Sequence, residues 1–216
     1  MATSLYMDLV GQVSPITDSC PSLVVMNAIR QTVIDLCERG QIWKYKHPDV
    51  VLTPSTYNYQ FVTPNADTVI SLVESARVND ISISVNTPID AINNFPKFPD
   101  IVNTGPPTIL FQLDQRSYNV APTPDAVITY TLKLITTLKP TQVSTGTDST
   151  LLQEHQETIV HGALHRLLLQ PEQDWTNMEL AGYHGKQYTY KLNLFKAQAK
   201  KGFSTANVSV QMRPFA

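Results

Sequence analysis

Ala126-Val-Ile-Thr-Tyr-Thr-Leu-Lys-Leu-Ile-Thr-Thr-Leu138 is the stretch on which the fold turns. β-branched and aromatic residues fill it, and Pro122, Pro124 and Pro140 bound it, so it is expected to form the longest strand and the centre of a sheet. Tyr57-Asn-Tyr-Gln-Phe-Val62, Val69 to Val78, Ile81-Ser-Ile-Ser-Val85 and Thr108 to Leu113 are likewise β-rich or alternating. Between them stand Pro54, Pro64, Pro88, Pro96, Pro99, Pro106 and Pro107. Proline at this density marks loops and edge strands and not central helices. The block from residue 50 to residue 147 therefore reads as a small antiparallel sheet or sandwich.

Helical periodicity flanks this block. Pro21 suits the first helical position behind Asp18, Ser19 and Cys20, and Gly40 suits the left-handed position past the helix end. Val25, Ile29, Val33 and Leu36 share one stripe in between, joined by Met26 and Cys37. Ile42, Trp43 and Tyr45 follow and are expected to wedge this helix onto the next layer. Leu5 to Val10 predicts a short helix of its own. After the β block, Thr150 with Gln153 reads as a capping box. It opens a helix whose buried face is Leu152, Ile159, Val160, Ala163, Leu164, Leu167 and Leu168, and Pro171 ends it. Thr176 with Glu179 reads as a second capping box, opening a helix that carries Leu180, Tyr183, Tyr190, Leu194 and Ala197 and ends at Gly202. The expected fold class is thus α+β: a helical bundle, made of an N-terminal helix and a C-terminal helical hairpin, with an inserted antiparallel β-sheet or sandwich and an extended C-terminal tail. Residues 1–49 and 148–202 would form the helical domain, 50–147 the inserted β domain and 203–216 the tail.

That tail is polar and basic. From Leu180 to the end the cations Lys186, Lys191, Lys196, Lys200, Lys201 and Arg213 face no Asp or Glu. Asn207-Val-Ser-Val-Gln-Met-Arg213 alternates with period two, the pattern of a strand in need of a partner edge, and Pro214 stops the ladder.

The chain has 216 residues and a mass of 24.1 kDa, enough to bury a real core. Charged residues make up 16%, against ~25% in an average soluble domain. A low-charge polar surface suits life in an assembly, because interface centres are depleted of charge. A net charge of −2 excludes a chain-wide electrostatic grip on DNA, so any nucleic-acid contact must be local. Cys20 and Cys37 sit at opposite ends of one predicted helix, roughly 25 Å apart by helical rise, and cannot bridge. The N-terminus lacks the basic and apolar regions of a signal peptide, and no apolar run approaches ~18 residues, so neither export by the usual route nor a membrane span is expected.

Candidate chemistry is sparse. Glu157, His161 and His165 stand at i, i+4 and i+8, and two His four apart can chelate zinc. The catalytic version of that motif needs Glu directly after the first His, where this chain has Gly162. A half-polar stripe beside a leucine face is the alternative, and no metal ligand is assigned. Cys37, beside Glu38 and Arg39, lies on the apolar stripe and reads as a small hydrophobe and not as an activated thiolate. Gly105-Pro-Pro107 and Gly182-x-x-Gly185 lack the strand, glycine turn and helix order of a phosphate cradle. No Gly-x-Ser-x-Gly elbow occurs, and Asp90, Asp100 and Asp125 sit in Pro-rich loops as turn residues. No catalytic or cofactor-binding residue is therefore assigned, and no cofactor is expected. The lysines of the last helix, at spacings near five, spiral around it. A solvated surface accounts for most, with Lys186, Lys191 and Lys196 as candidate contacts to a DNA-filled channel, where sequence-independent positive charge suffices.

Several segments, in order, resemble one family: the head-to-tail adaptor (connector) proteins of tailed bacteriophages. They are Ala28-Ile-Arg-Gln-Thr-Val-Ile-Asp-Leu-Cys-Glu-Arg39 with Trp43; Gly105-Pro-Pro-Thr and Val120-Ala-Pro-Thr-Pro-Asp125; Leu138-Lys-Pro140; Gly162-Ala-Leu-His-Arg-Leu-Leu168; Asp174-Trp175; Ala199-Lys-Lys-Gly202; and Val210-Gln-Met-Arg-Pro-Phe215. Each is weakly specific, and their shared order carries the resemblance from Cys20 onward. It implies a non-enzymatic virion protein at the head-tail junction, assembled in the bacterial host cytoplasm. It further implies a ring, a dodecamer matched to the portal, that extends the DNA channel and docks tail nozzle or tube proteins, with only non-specific contact to packaged DNA. In such adaptors the C-terminal tail reaches the portal, which would place Val208, Val210, Met212, Arg213 and Phe215 in that contact. Another tail component, such as a tail-completion or tail-tube subunit, is the alternative. The inserted β block departs from the smaller, all-helical adaptors.

Overall fold

The computed structural model describes residues 3–95 and 104–201. The chain divides into two compact units: one of Met1–Leu5 with Trp43–Leu151, the other of Tyr6–Ile42 with Leu152–Ala216.

The first unit is built on one large sheet. Its strands are β2 (Lys44–Lys46), β3 (Val50–Leu52), β4 (Asn58–Gln60), β5 (Thr68–Val78), β6 (Ile81–Asn86), β7 (Ile109–Gln112), β8 (Ser117–Ala121) and β9 (Tyr130–Pro140). These eight run in the order β2-β9-β5-β6-β7-β8-β4, with β3 pairing β9 beyond β2. β1 (Thr3–Leu5) and β10 (Gly146–Asp148) form a separate antiparallel pair. β9 is joined by β5 on one side and by β2 and β3 on the other. Along it Tyr130, Leu132 and Leu134 are buried and alternate with Thr131, Lys133 and Ile135.

β5 pairs with β9 over nearly its whole length, but its register slips between Ile70 and Leu72 and again between Val73 and Ser75. Each slip inserts one extra residue. The buried positions Ile70, Val73 and Ala76 are consequently three apart where an unbroken strand would space them by two. Bulges of this kind bend a strand and increase its twist, which accounts for the curled, half-barrel sheet. The carboxylate of Glu74, an extra residue, is held by Lys44 of β2 at 3.1 Å.

All neighbouring strands are antiparallel except β6 and β7. Parallel neighbours need a crossover, and the connection between these two carries helix α3 (Pro88–Asn94). Thr87 caps α3 by accepting the Asp90 N–H, with Pro88 in the first turn. Ala91 and Phe95 pack on Ile109, Phe111 and Ala121. Leu110, Tyr118 and Val120, of opposite parity on β7 and β8, join Leu52, Val73, Ala76, Val78, Leu132 and Leu134 in a second core.

The second unit contains α1 (Met7–Val13), α2 (Ser22–Gly40), α5 (Met178–Lys201) and most of α4 (Ser149–Leu168). Val25, Ile29, Val33 and Leu36 are buried as the periodicity predicts, and Cys37 with them. Burial pushes the Cys37 thiol far above its ordinary range, and both cysteines are unbridged.

The architecture corrects the expected fold class. The molecule is mixed α/β with a large mixed sheet, not a helical bundle carrying a minor antiparallel insert. Strands of three residues such as β2 and β3 are too short to show period-two alternation, and the bulges break it in β5. Pro88, read as loop punctuation, instead starts the crossover helix that makes the sheet mixed.

Caps differ as well. Gly40 is the last residue of α2, and Gln41 takes the left-handed conformation at φ 54°. Asp148 accepts the Thr150 N–H at the start of α4, where a Thr150/Gln153 box was expected. Asn177 accepts the Leu180 N–H and caps α5, while the Thr176 hydroxyl bonds the Gln170 carbonyl instead.

Leu132 and Ile135 have similar side chains three residues apart on β9, yet Leu132 is fully buried and Ile135 is 44% exposed. Leu132→Ala should cost about 2–5 kcal/mol, and Ile135→Ala under ~1 kcal/mol, in urea unfolding. Equal losses would contradict the assigned faces of the strand.

Candidate functional site

The residues singled out from the sequence converge on α5 and the helices packed against it. Three helices meet at Gly162 of α4. A Cβ built there would lie 2.3 Å from Thr32 Cγ2 of α2 and 2.9 Å from Tyr188 Cδ2 of α5, so only glycine allows this approach. The Tyr188 hydroxyl donates to Asp35 Oδ2 at 2.6 Å. The same carboxylate is approached by Arg39 at 3.3 Å and Arg166 at 4.0 Å. Burial, then the Asp35 carboxylate, raises the Tyr188 pKa well beyond its ordinary range, so the phenol remains a donor. Two further glycines tighten the packing: Gly40 lies against Leu192, and a Cβ on Gly185 would meet the His165 ring at 2.7 Å.

The Glu157, His161 and His165 stripe does not form one site. His161 Nδ1 and His184 Nδ1 are 2.7 Å apart, so one donates and the other accepts. His161 Nε2 lies 3.6 Å from Glu157, whose carboxylate also holds Lys191. His165 Nδ1 turns away and donates to the Ala181 carbonyl at 2.9 Å. No group of three or more His, Cys, Asp or Glu with metal-binding geometry occurs among the described residues. The arrangement is a polar network joining α4 to α5. Burial lowers the pKa of both His161 and His184; Lys191 adds to this at His161, and His161 and His165 add to it at His184.

α5 buries one narrow face. Ala181, His184, Tyr188 and Leu192 are its buried residues. Tyr183, Tyr190 and Leu194, noted from the sequence as residues this helix carries, are 53%, 68% and 46% exposed, and Ala197 is exposed too. His184 and Tyr188 are buried with polar partners, His161 and Asp35. The lysines also sort differently. Lys186, Thr189, Asn193, Lys196 and Lys200 follow at spacings of three and four, share one face, and are all exposed. Lys191 is off this face and paired with Glu157. Lys200 was the missed member, and three-four spacing was the signal that could have found it. The tail candidates Val208, Val210, Met212, Arg213 and Phe215 lie outside the described residues.

A groove of about 490 Å³ between α1 and α4, lined by Gln12, Ile16, Glu154, Glu157 and Val160, opens broadly to solvent. No helix among the described residues is long and apolar enough to cross a membrane. The chain belongs to the SU10 adaptor protein family, whose model it matches over residues 5–212. This bears out the resemblance to phage head-to-tail adaptors and makes the chain a phage adaptor-type structural protein, a virion component. A search of curated proteins found no match.

Gly162→Ala should destabilise the protein by about 1–3 kcal/mol, despite the better helix propensity of alanine. Thr32→Ser, which removes the clashing methyl and keeps the hydroxyl bonded to the Ala28 carbonyl, should recover part of that loss in a double-mutant cycle. Additive losses would contradict the close approach.

His47, His155, His161 and His184 all have pKa values lowered from the ordinary 6.5, chiefly by burial. Below that value the unfolded chain binds more protons than the folded one, so stability is full above it and declines as pH falls through it. His47 shows the structural cause: its Nδ1 bonds the Pro48 carbonyl at 2.7 Å, and its Nε2 accepts the Val62 N–H at 2.8 Å, which a second proton would prevent. Asp80, Asp114 and Glu157, whose pKa values are also lowered, lose their contributions only below about pH 4. The melting temperature should therefore fall between about pH 7.5 and about pH 5.5; an unchanged or higher value at the lower pH would contradict this.

Proposed function

We propose that this chain is the subunit of a head-to-tail adaptor ring, a dodecamer beneath the portal, that extends the DNA channel and docks tail nozzle or tube proteins. The family match over residues 5–212 carries this reading. The stripe Lys186, Thr189, Asn193, Lys196 and Lys200 supports the channel role. It runs about 21 Å along α5, and its lysines have no ion-pair partner among the described residues. Amine, hydroxyl and amide side chains in a row suit phosphate oxygens, which need positive charge but no base reading. Lys191, neutralised by Glu157, contributes less to such a surface than Lys200.

The tail residues Val208, Val210, Met212, Arg213 and Phe215 would anchor the ring to the portal by strand addition or groove binding. The free subunit is monomeric in this reading, and the ring closes on the portal. In the bacterial cytoplasm it would assemble before the tail arrives.

Mixing the full chain with isolated portal should produce a second ring in electron micrographs. A chain truncated after Lys201 should keep its circular dichroism and melting yet lose cosedimentation with portal. No added ring, together with copurification with tail alone, would move the chain to a tail-completion or tail-tube role. Full binding by the truncated chain would remove the tail from the contact.

A further inference from the structure

We propose that a notch beside Gly182 on α5 seats one phosphate of a DNA backbone, an inference that rests on the channel reading above and deepens it. Gly182 is an exposed glycine inside a helix, where glycine is less stable than alanine. Packing within the subunit does not account for it. A Cβ on Gly162 or Gly185 would strike a neighbouring side chain, whereas one on Gly182 would meet no atom within 4 Å. Gly182 also heads the polar stripe, since Lys186, Thr189, Asn193, Lys196 and Lys200 succeed it at spacings of four and three. With Gly185 it belongs to an open notch of about 550 Å³, lined also by His165, Lys186, Thr189 and Asn193. Room beside the backbone, with a cation at its rim, lets a phosphate group come close.

The hydrogen bonds of the notch favour an anion over a cation. Glycine bares the carbonyl oxygens of its helix turn, and a bare oxygen repels negative charge. Here the Ala181 carbonyl accepts from His165 Nδ1 at 2.9 Å, and the Gly185 carbonyl accepts from the Thr189 hydroxyl at 2.9 Å. Both oxygens are covered by a donor. The Lys186 ammonium and the Asn193 amide have no partner among the described residues and are the donors left to an incoming oxygen. Glu179, the acid before them on α5, stands about 10 Å back from Lys186 along the helix axis and does not line the notch. A phosphodiester, with negative charge and acceptor oxygens, suits these groups and brings no base into the contact. Lys196 and Lys200 continue the stripe beyond the notch, and only a polyanion meets all three lysines at once. The occupant is therefore the DNA backbone and not free phosphate.

Nuclear magnetic resonance of the isotope-labelled full chain at low salt, titrated with a short duplex of arbitrary sequence and separately with inorganic phosphate, tests the seat. The duplex should shift the resonances of Gly182, Lys186 and Asn193. A response to inorganic phosphate with none to the duplex would overturn the DNA assignment, and duplex-induced shifts confined to Lys196 and Lys200 would overturn the seat. Gly182→Leu should melt no lower than the parent, because open space receives the new side chain, yet bind the duplex about fivefold or more weakly. Lys186→Gln should weaken binding by a similar factor and reduce the slope of log affinity on log salt by about one. Lys200→Gln, outside the notch, should lose less affinity. Equal losses at Lys186 and Lys200, with parent-like binding by Gly182→Leu, would overturn the seat and leave the channel reading standing. If the parent chain binds no duplex, the channel reading fails and takes this inference with it.

Discussion

The roll of α5 about its own axis is the constraint on which the functional surfaces depend, and the contact of Tyr188 with Asp35 and Gly162 sets it. The phenol donates to Asp35 of α2 at 2.6 Å, and its ring lies where a Cβ on Gly162 of α4 would be. A rotation of α5 by one residue would move every side chain by about 100°. Asp35 would then lose its tyrosine donor and keep only Arg39 and Arg166. The His161 and His184 pair and the Gly185 and His165 contact add two more points along the same helix. These points key the turn of helix from His184 to Tyr188, and the exposed faces follow.

Once the roll is fixed, charge and apolar surface sort themselves onto separate sides. Lys186, Lys196 and Lys200 share one face with Thr189 and Asn193, while Tyr183, Tyr190 and Leu194 share another. Lys191, which lies off the lysine face, is held by Glu157 within the network of α4 and α5. Under the proposed channel role, the lysine face is the one that would meet phosphate. Contact with DNA that is only electrostatic positions nothing in sequence and lets the duplex pass, as a channel requires.

How much of this could be read from the sequence depended on length and on burial by polarity. α2 was legible because Val25, Ile29, Val33 and Leu36 form an unbroken apolar stripe, and β9 because alternation holds from Tyr130 to Ile135. The sheet was underestimated where strands are three residues long, where bulges shift the parity of β5, and where α3 converts an antiparallel run into a parallel pair. The buried face of α5 was not legible because hydrophobicity ranks Tyr190 and Leu194 above His184, and a sequence cannot show that His184 has a partner in His161. The metal-like spacing of Glu157, His161 and His165 likewise dissolved once α5 supplied His184 and the Ala181 carbonyl. The shared exposed face of Lys186, Lys196 and Lys200 needed three-four spacing in place of a count of intervals near five.

The most direct test of the central claim is a cryo-electron-microscopy reconstruction of the head-tail vertex in particles that carry this protein, at a resolution that shows side chains on α5. A ring in which Lys186, Lys196 and Lys200 point to the axis is the predicted result. A ring in which α5 faces outward, with its lysines in solvent away from the channel, would contradict it.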